Sequence, residues 1–88
     1  MRFKVEGTTN AAPTTTGTAT TVESASEVSV FNNSTTAYAV AIVTAASGTV
    51  VGNITMAGGE RLVIKKEPTW AMYAANVAIM LTPVNTRV

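Results

Sequence analysis

From Val22 onward, apolar runs of strand length follow one another about every ten residues, each closed by a cluster of turn-forming residues. That rhythm leaves room for short strands and tight turns and little room for helices. Glu27-Val28-Ser29-Val30-Phe31, with Val22 ahead of it, is a strand candidate ended by Asn32-Asn33-Ser34. Thr35 to Ala45 sets Tyr38, Val40 and Ile42 on one side and Ala37, Ala39, Ala41 and Val43 on the other. Both sides are apolar, which predicts a central strand or one covered on each face. After the turn at Ser47-Gly48, Thr49 to Met56 reads as a strand with a bulge or close backbone approach at Gly52. Ala57-Gly58-Gly59-Glu60 is a tight turn needing positive φ, and Arg61 to Lys66 is the next strand, ended by Glu67-Pro68-Thr69.

Residues 70–84 admit two readings. Trp70, Tyr73, Val77, Met80 and Leu81 recur at helical spacing among alanines. Asn76 splits that run, and the β-branched residues of Val77–Val84 with Pro83 favour two short strands, Met72–Ala75 and Val77–Val84. The expected architecture is all-β: a small antiparallel β-sandwich or barrel of six to seven short strands with an extended N-terminal Thr-rich arm. No repeat of 20–50 residues is visible, which excludes solenoids and propellers.

The N-terminal part divides at residue 21, giving a strand and Thr-rich arm over 1–21 and a sandwich domain over 22–88. Phe3 and Val5 alternate with Arg2, Lys4 and Glu6, the period of a half-buried strand. Gly7 to Thr21 has no large apolar side chain and cannot order itself unaided, so it reads as a linker or as an arm lying on a neighbouring subunit. Thr14, Thr15 and Thr16 are its candidate interface residues.

A chain of 88 residues buries only about 60–65% of its unfolded surface and is marginal without a supplement. Cys and His are absent, which removes disulfides and most transition-metal sites, and no Asp is present either. Docking onto partners or onto further copies of itself remains as the supplement. A net charge of +1 with 12% charged residues gives little drive towards nucleic acid or anionic lipid. No apolar stretch reaches the roughly 18 residues that span a bilayer, and the N-terminus lacks a secretory h-region. The expected place of synthesis is a cytoplasm.

Catalytic chemistry finds no foothold. Without His, a nucleophilic triad lacks its usual base. A Ser–Lys dyad is open on composition, yet Lys65 and Lys66 are adjacent on one strand and point to opposite faces, so at least one is solvated. Glu6, Glu23, Glu27, Glu60 and Glu67 are the only carboxylate side chains, and no spacing singles out a pair. Gly58-Gly59 lies between strands and opens no helix, so it is no phosphate loop. Asn32-Asn33-Ser34 and Asn53-Ile54-Thr55 match the glycosylation sequon by chance in a cytoplasmic chain. The chain is expected to have no cofactor, no metal and no enzymatic activity. Trp70, the single tryptophan, and Tyr73 are candidate anchors. Buried in the core, Trp70→Ala costs about 3–5 kcal/mol; at an interface, its loss impairs assembly.

Val28-Ser29-Val30-Phe31-Asn32-Asn33-Ser34-Thr35, then Gly52 to Glu60, then Ile64-Lys65-Lys66-Glu67-Pro68-Thr69 and a closing Leu81-Thr82-Pro83-Val84 form one succession. On these residues, about two-thirds of the chain resembles small virion structural proteins of tailed bacteriophages, especially marine and cyanobacterial ones. Trp70 departs from the pattern, standing where an acidic residue is expected after Pro-Thr. The resemblance implies a β-rich virion component with no catalytic residues: a capsid decoration (cement) protein bound to the major capsid protein, or a neck, tail or fibre component bound to other virion subunits. Homo-oligomers on the particle and a location at the capsid surface follow from it. An arm over residues 7–21 that drapes onto capsid subunits favours decoration, because weak contacts repeated by symmetry sum to high avidity. Deleting residues 1–21 is then expected to weaken attachment and leave the sandwich folded. A different class, a sandwich module binding carbohydrate or another ligand, requires a concave aromatic patch around Trp70 and Tyr73.

Overall fold

The computed structural model describes residues 4–85, so Arg2 and Phe3 of the expected first strand lie outside the described residues. The chain is all-β, with two antiparallel sheets. Its strands are β1 (Lys4–Val5), β2 (Asn10–Ala11), β3 (Glu27–Asn32), β4 (Tyr38–Val43), β5 (Val50–Met56), β6 (Arg61–Lys65), β7 (Ala71–Ala74) and β8 (Ile79–Asn85). One sheet runs β1-β8-β3-β6, with β2 also on β8; the other runs β5-β4-β7. Among the described residues, no helix is long and apolar enough to cross a membrane.

Alternation along the strands builds the core. Val28 and Val30 of β3, Ile79 and Leu81 of β8, Val40 of β4, Met56 of β5, and Met72 and Ala74 of β7 all face inward and form one buried cluster. Leu62 and Ile64 of β6 pack on it from the rim. Fully burying such side chains stabilises by about 1.5–3 kcal/mol each. The largest fully buried side chains are Met56, Met72, Ile79 and Leu81, so the core is aliphatic and thin.

The central placement expected for Tyr38–Val43 holds: β4 pairs with β5 on one side and β7 on the other. The irregularity expected at Gly52 is a register shift, with Ile42 opposite Gly52 but Val43 opposite Val50. An added Cβ at Gly52 meets no atom within 4 Å, so no close approach accompanies the shift. At Gly58 the reverse holds, since a Cβ there lies 2.7 Å from the Thr35 carbonyl carbon. Gly59 supplies the positive φ of that turn, +78°.

Residues 70–81 are strand and turn, not helix. The Asn76 side chain accepts the Ala78 amide at 2.9 Å, and the Asn76 carbonyl accepts the Ile79 amide at 3.2 Å. This local turn delays the last strand to Ile79 and leaves Val77 outside it, exposed.

The Thr-rich segment lies along its own body. β1 and β2 form one edge of β8, with Val5 opposite Val84 and Asn10 opposite Leu81. Five steps on one strand match three on the other, so two extra residues bulge out near Gly7. Pro83 lies at that break. Its carbonyl accepts the Glu6 amide at 2.8 Å, and its missing N–H falls on the same side of β8. Further on, Ala12 is buried, and the Pro13 carbonyl accepts the Ala74 amide at 2.9 Å. Thr20 exchanges two hydrogen bonds with Met72, at 2.7 and 3.0 Å. Residues 10–20 thus link β8 to the outer edge of β7 and cross the division at residue 21 with backbone hydrogen bonds. A radius of gyration of 11.7 Å, against about 12 Å for a compact domain of this length, agrees with a seated segment.

Candidate functional site

Two surface features outside the core have the character of a site. The first is an open concavity of about 450 Å³ lined by Ser26, Lys65, Lys66, Glu67 and Trp70. The two lysines diverge as strand geometry requires, Lys65 to solvent and Lys66 inward with 5% exposure. The Lys66 ammonium donates to the carbonyl of Ala25 at 2.7 Å and to that of Glu67 at 3.4 Å, and its backbone amide donates to Ser26 at 2.9 Å. Loss of water around it holds its pKa below the ordinary lysine value. These bonds make Lys66 a brace that fastens the β6 terminus to the start of β3.

Trp70 is half-buried on the wall of this concavity and stands outside the core cluster. The loss of 3–5 kcal/mol expected for a core tryptophan therefore does not apply. Tyr73 does not line the concavity. It pairs with Ala41 on the outward side of β7, while its neighbours Met72 and Ala74 point into the core. Trp70 and Tyr73 thus do not line one concavity. Thr14, Thr15 and Thr16 are exposed at the 3-10 turn of Thr16–Thr18, where the Thr16 carbonyl accepts the Ser47 amide at 2.8 Å. The turn lies close to β7.

Among the described residues, no three acidic side chains converge to hold a metal ion. Glu60 caps its own turn, accepting the Ala57 amide at 2.9 Å. Of the chance sequons, Asn32 is fully buried and committed to hydrogen bonds within the fold.

The second feature is the open side of the sandwich, where both sheets end in strands with a free edge, β5 and β6. Between them runs an apolar groove of about 240 Å³, lined by Val40, Ile42, Gly52, Asn53, Ile54 and Ile64. Val50, Val51 and Ile54 remain 49%, 47% and 44% exposed on β5. No charged side chain occurs from Val28 to Gly59, so β4, β5 and the turn between them are uncharged throughout. Edge strands of monomeric proteins ordinarily carry lysines, prolines or inward charges that block pairing with another chain. β5 carries none of these, but its register shift at Val51 interrupts the edge and leaves Gly52–Met56 as its regular stretch.

Sequence reasoning missed this edge. The uncharged run was legible in the sequence, but that β5 ends its sheet depends on β7, not β6, taking the other side of β4.

No protein-family model, no curated protein and no solved structure matches this chain.

Proposed function

We propose that this chain is a non-enzymatic structural protein of a bacteriophage virion, a capsid decoration protein that binds and stabilises the shell of the major capsid protein. The observation that carries the binding role is the uncharged β5 edge beside an apolar groove, a surface that suits strand pairing with protein and offers nothing to nucleic acid. The virion placement is supported by the succession of sequence elements from Val28 to Val84. The aliphatic core, with no aromatic side chain among the fully buried of the described residues, suits a part that gains stability in an assembly. No cofactor enters this reading, and the surface of the particle is its place of action.

A neck, tail or fibre component is the competing virion role, since the same edge serves a ring of subunits. The ligand-binding reading is weakened, because Tyr73 is not part of the Trp70 concavity that it requires.

The test is re-addition. Particles assembled without this chain are mixed with the purified protein, and the bound copies and capsid melting temperature are measured. Saturable binding at hundreds of sites with a raised capsid melting temperature is the expected result. Binding at a dozen sites or fewer, or no rise in melting temperature, opposes decoration.

A further inference from the structure

We propose that residues 4–22 exchange between two copies of this chain, each seating its N-terminal segment on β8 and β7 of the other, with Glu23 and Ser24 as the hinge. The exchange does not rest on the virion reading and uses neither β5 nor its groove.

A strained link joins the segment to the body. Val22, Glu23 and Ser24 are three successive non-glycine residues in left-handed backbone, with φ of 53°, 57° and 57°. L-residues enter that region at a cost and ordinarily do so singly. Two local hydrogen bonds hold the bend: the Ser24 amide donates to the Thr21 hydroxyl at 3.3 Å, and the Ala25 amide to the Val22 carbonyl at 3.1 Å. Glu23 and Ser24 are exposed, so core burial offsets no strain at these two positions. An extended hinge relieves both, while buried Val22 travels with the segment. Short hinge loops under strain favour exchange of identical elements between copies.

The contacts that seat the segment select its partner. β1 and β2 pair with β8, Ala12 is buried, the Pro13 carbonyl accepts the Ala74 amide, and Thr20 exchanges two hydrogen bonds with Met72. A second copy presents the same donors, acceptors and seat for Ala12 in the same order. Every bond given up within one chain is regained on the other. The balance between single chain and exchanged pair is therefore set by two relaxed hinges against the freedom lost on association. Opening exposes little apolar surface, because residues 7–21 contain no large apolar side chain. The backbone bonds to β8 and β7 must nonetheless break first, so the pair forms slowly at high concentration and persists on dilution.

The absence of native cysteine allows the exchange to be trapped. Ala11 of β2 lies opposite Met80 of β8. Residues so opposed in an antiparallel pair have Cα atoms about 4.5–5.5 Å apart, within the span a disulfide bridges. Full chains carrying Ala11→Cys or Met80→Cys are mixed at millimolar concentration, warmed to just below melting, cooled and oxidised. The expected product is a cross-linked pair of the two different chains, formed much faster than either variant links to itself. Ser24→Pro cannot adopt the left-handed φ and turns Glu23 towards extended backbone. It is expected to sediment as a pair at concentrations where the wild type is a single chain of 9.1 kDa. Ser24→Gly eases the closed hinge and is expected to lower the association constant at least tenfold, since each pair contains two hinges. Wild type that stays single at every concentration after warming overturns the proposal. So does mixed cross-linking no faster than self-linking, or a Ser24→Gly variant that pairs as readily as wild type. If Ser24→Pro does not fold, the cross-linking and Ser24→Gly results decide.

Discussion

Asn32 has no exposed surface, and its side chain ties three segments together. Its amide donates to the carbonyls of Thr36 at 2.8 Å and Met56 at 3.1 Å, and its Oδ1 accepts the Ser34 hydroxyl at 2.7 Å. It thereby anchors the turn after β3 to the end of β5, while its backbone holds the Gly59–Glu60 turn through bonds of 2.9 Å. Replacing it by alanine removes the donor to the buried Met56 carbonyl, and a loss of about 1–3 kcal/mol in urea unfolding is the expected outcome. Lys66 carries a pH signature. Its folded pKa lies below the unfolded value of 10.5, so the unfolded chain binds more protons as pH rises through the folded value. Stability from this residue is therefore lowest where Lys66 is charged in both states, and it increases as pH climbs towards 10.5. Comparing wild type with Lys66→Met isolates this contribution. The difference in unfolding free energy should move in favour of wild type as pH rises towards 10.5, and a difference that stays constant contradicts the burial of its charge.

At the scale of elements, the turn joining the N-terminal segment to β3 has a cost built in. Val22, Glu23 and Ser24 all have left-handed backbone, with φ of 53°, 57° and 57°. Each such residue without a glycine's freedom costs about 1–2 kcal/mol. Burial of Val22 and the acceptance of its amide by the Thr20 hydroxyl at 3.1 Å offset part of this. Ser24 is exposed, and Ser24→Gly is expected to raise the unfolding free energy by about 0.5–1 kcal/mol. Deleting residues 1–21 strips β8 of its edge partners and removes buried Ala12, so the expected loss is about 3–5 kcal/mol by thermal or urea unfolding. The sequence alone points to a folded remainder, and this unfolding measurement tests it. Alternation and turn chemistry are local, and they made β3 to β6 readable, with β4 central because both its faces are apolar. The seat of residues 4–12 is set by backbone pairing with β8, more than 65 residues further on, which no local pattern records. The start of β8 was read two residues early because the Asn76 turn competes with the β-propensity of Val77. At the candidate sites, Trp70 and Tyr73 stood out by residue type, but that they do not line one concavity follows from strand parity and from the end of β7, which only the assembled sheet defines.

At the scale of the whole molecule, a thin aliphatic core and an open, uncharged edge belong together. Small sandwiches that stand alone cover or charge their edges and add cross-links. Here cysteine is absent, and the free edge of β5 lies beside exposed valines and isoleucine. A surface of this kind suits contact with protein. The central claim is that such contacts place the chain in many copies on a capsid. Its most direct test is the copy number of the chain per purified particle, by quantitative mass spectrometry against the major capsid protein. Hundreds of copies is the result expected of a decoration protein; a dozen would assign it to the neck or tail, and its absence from particles would contradict the virion reading altogether.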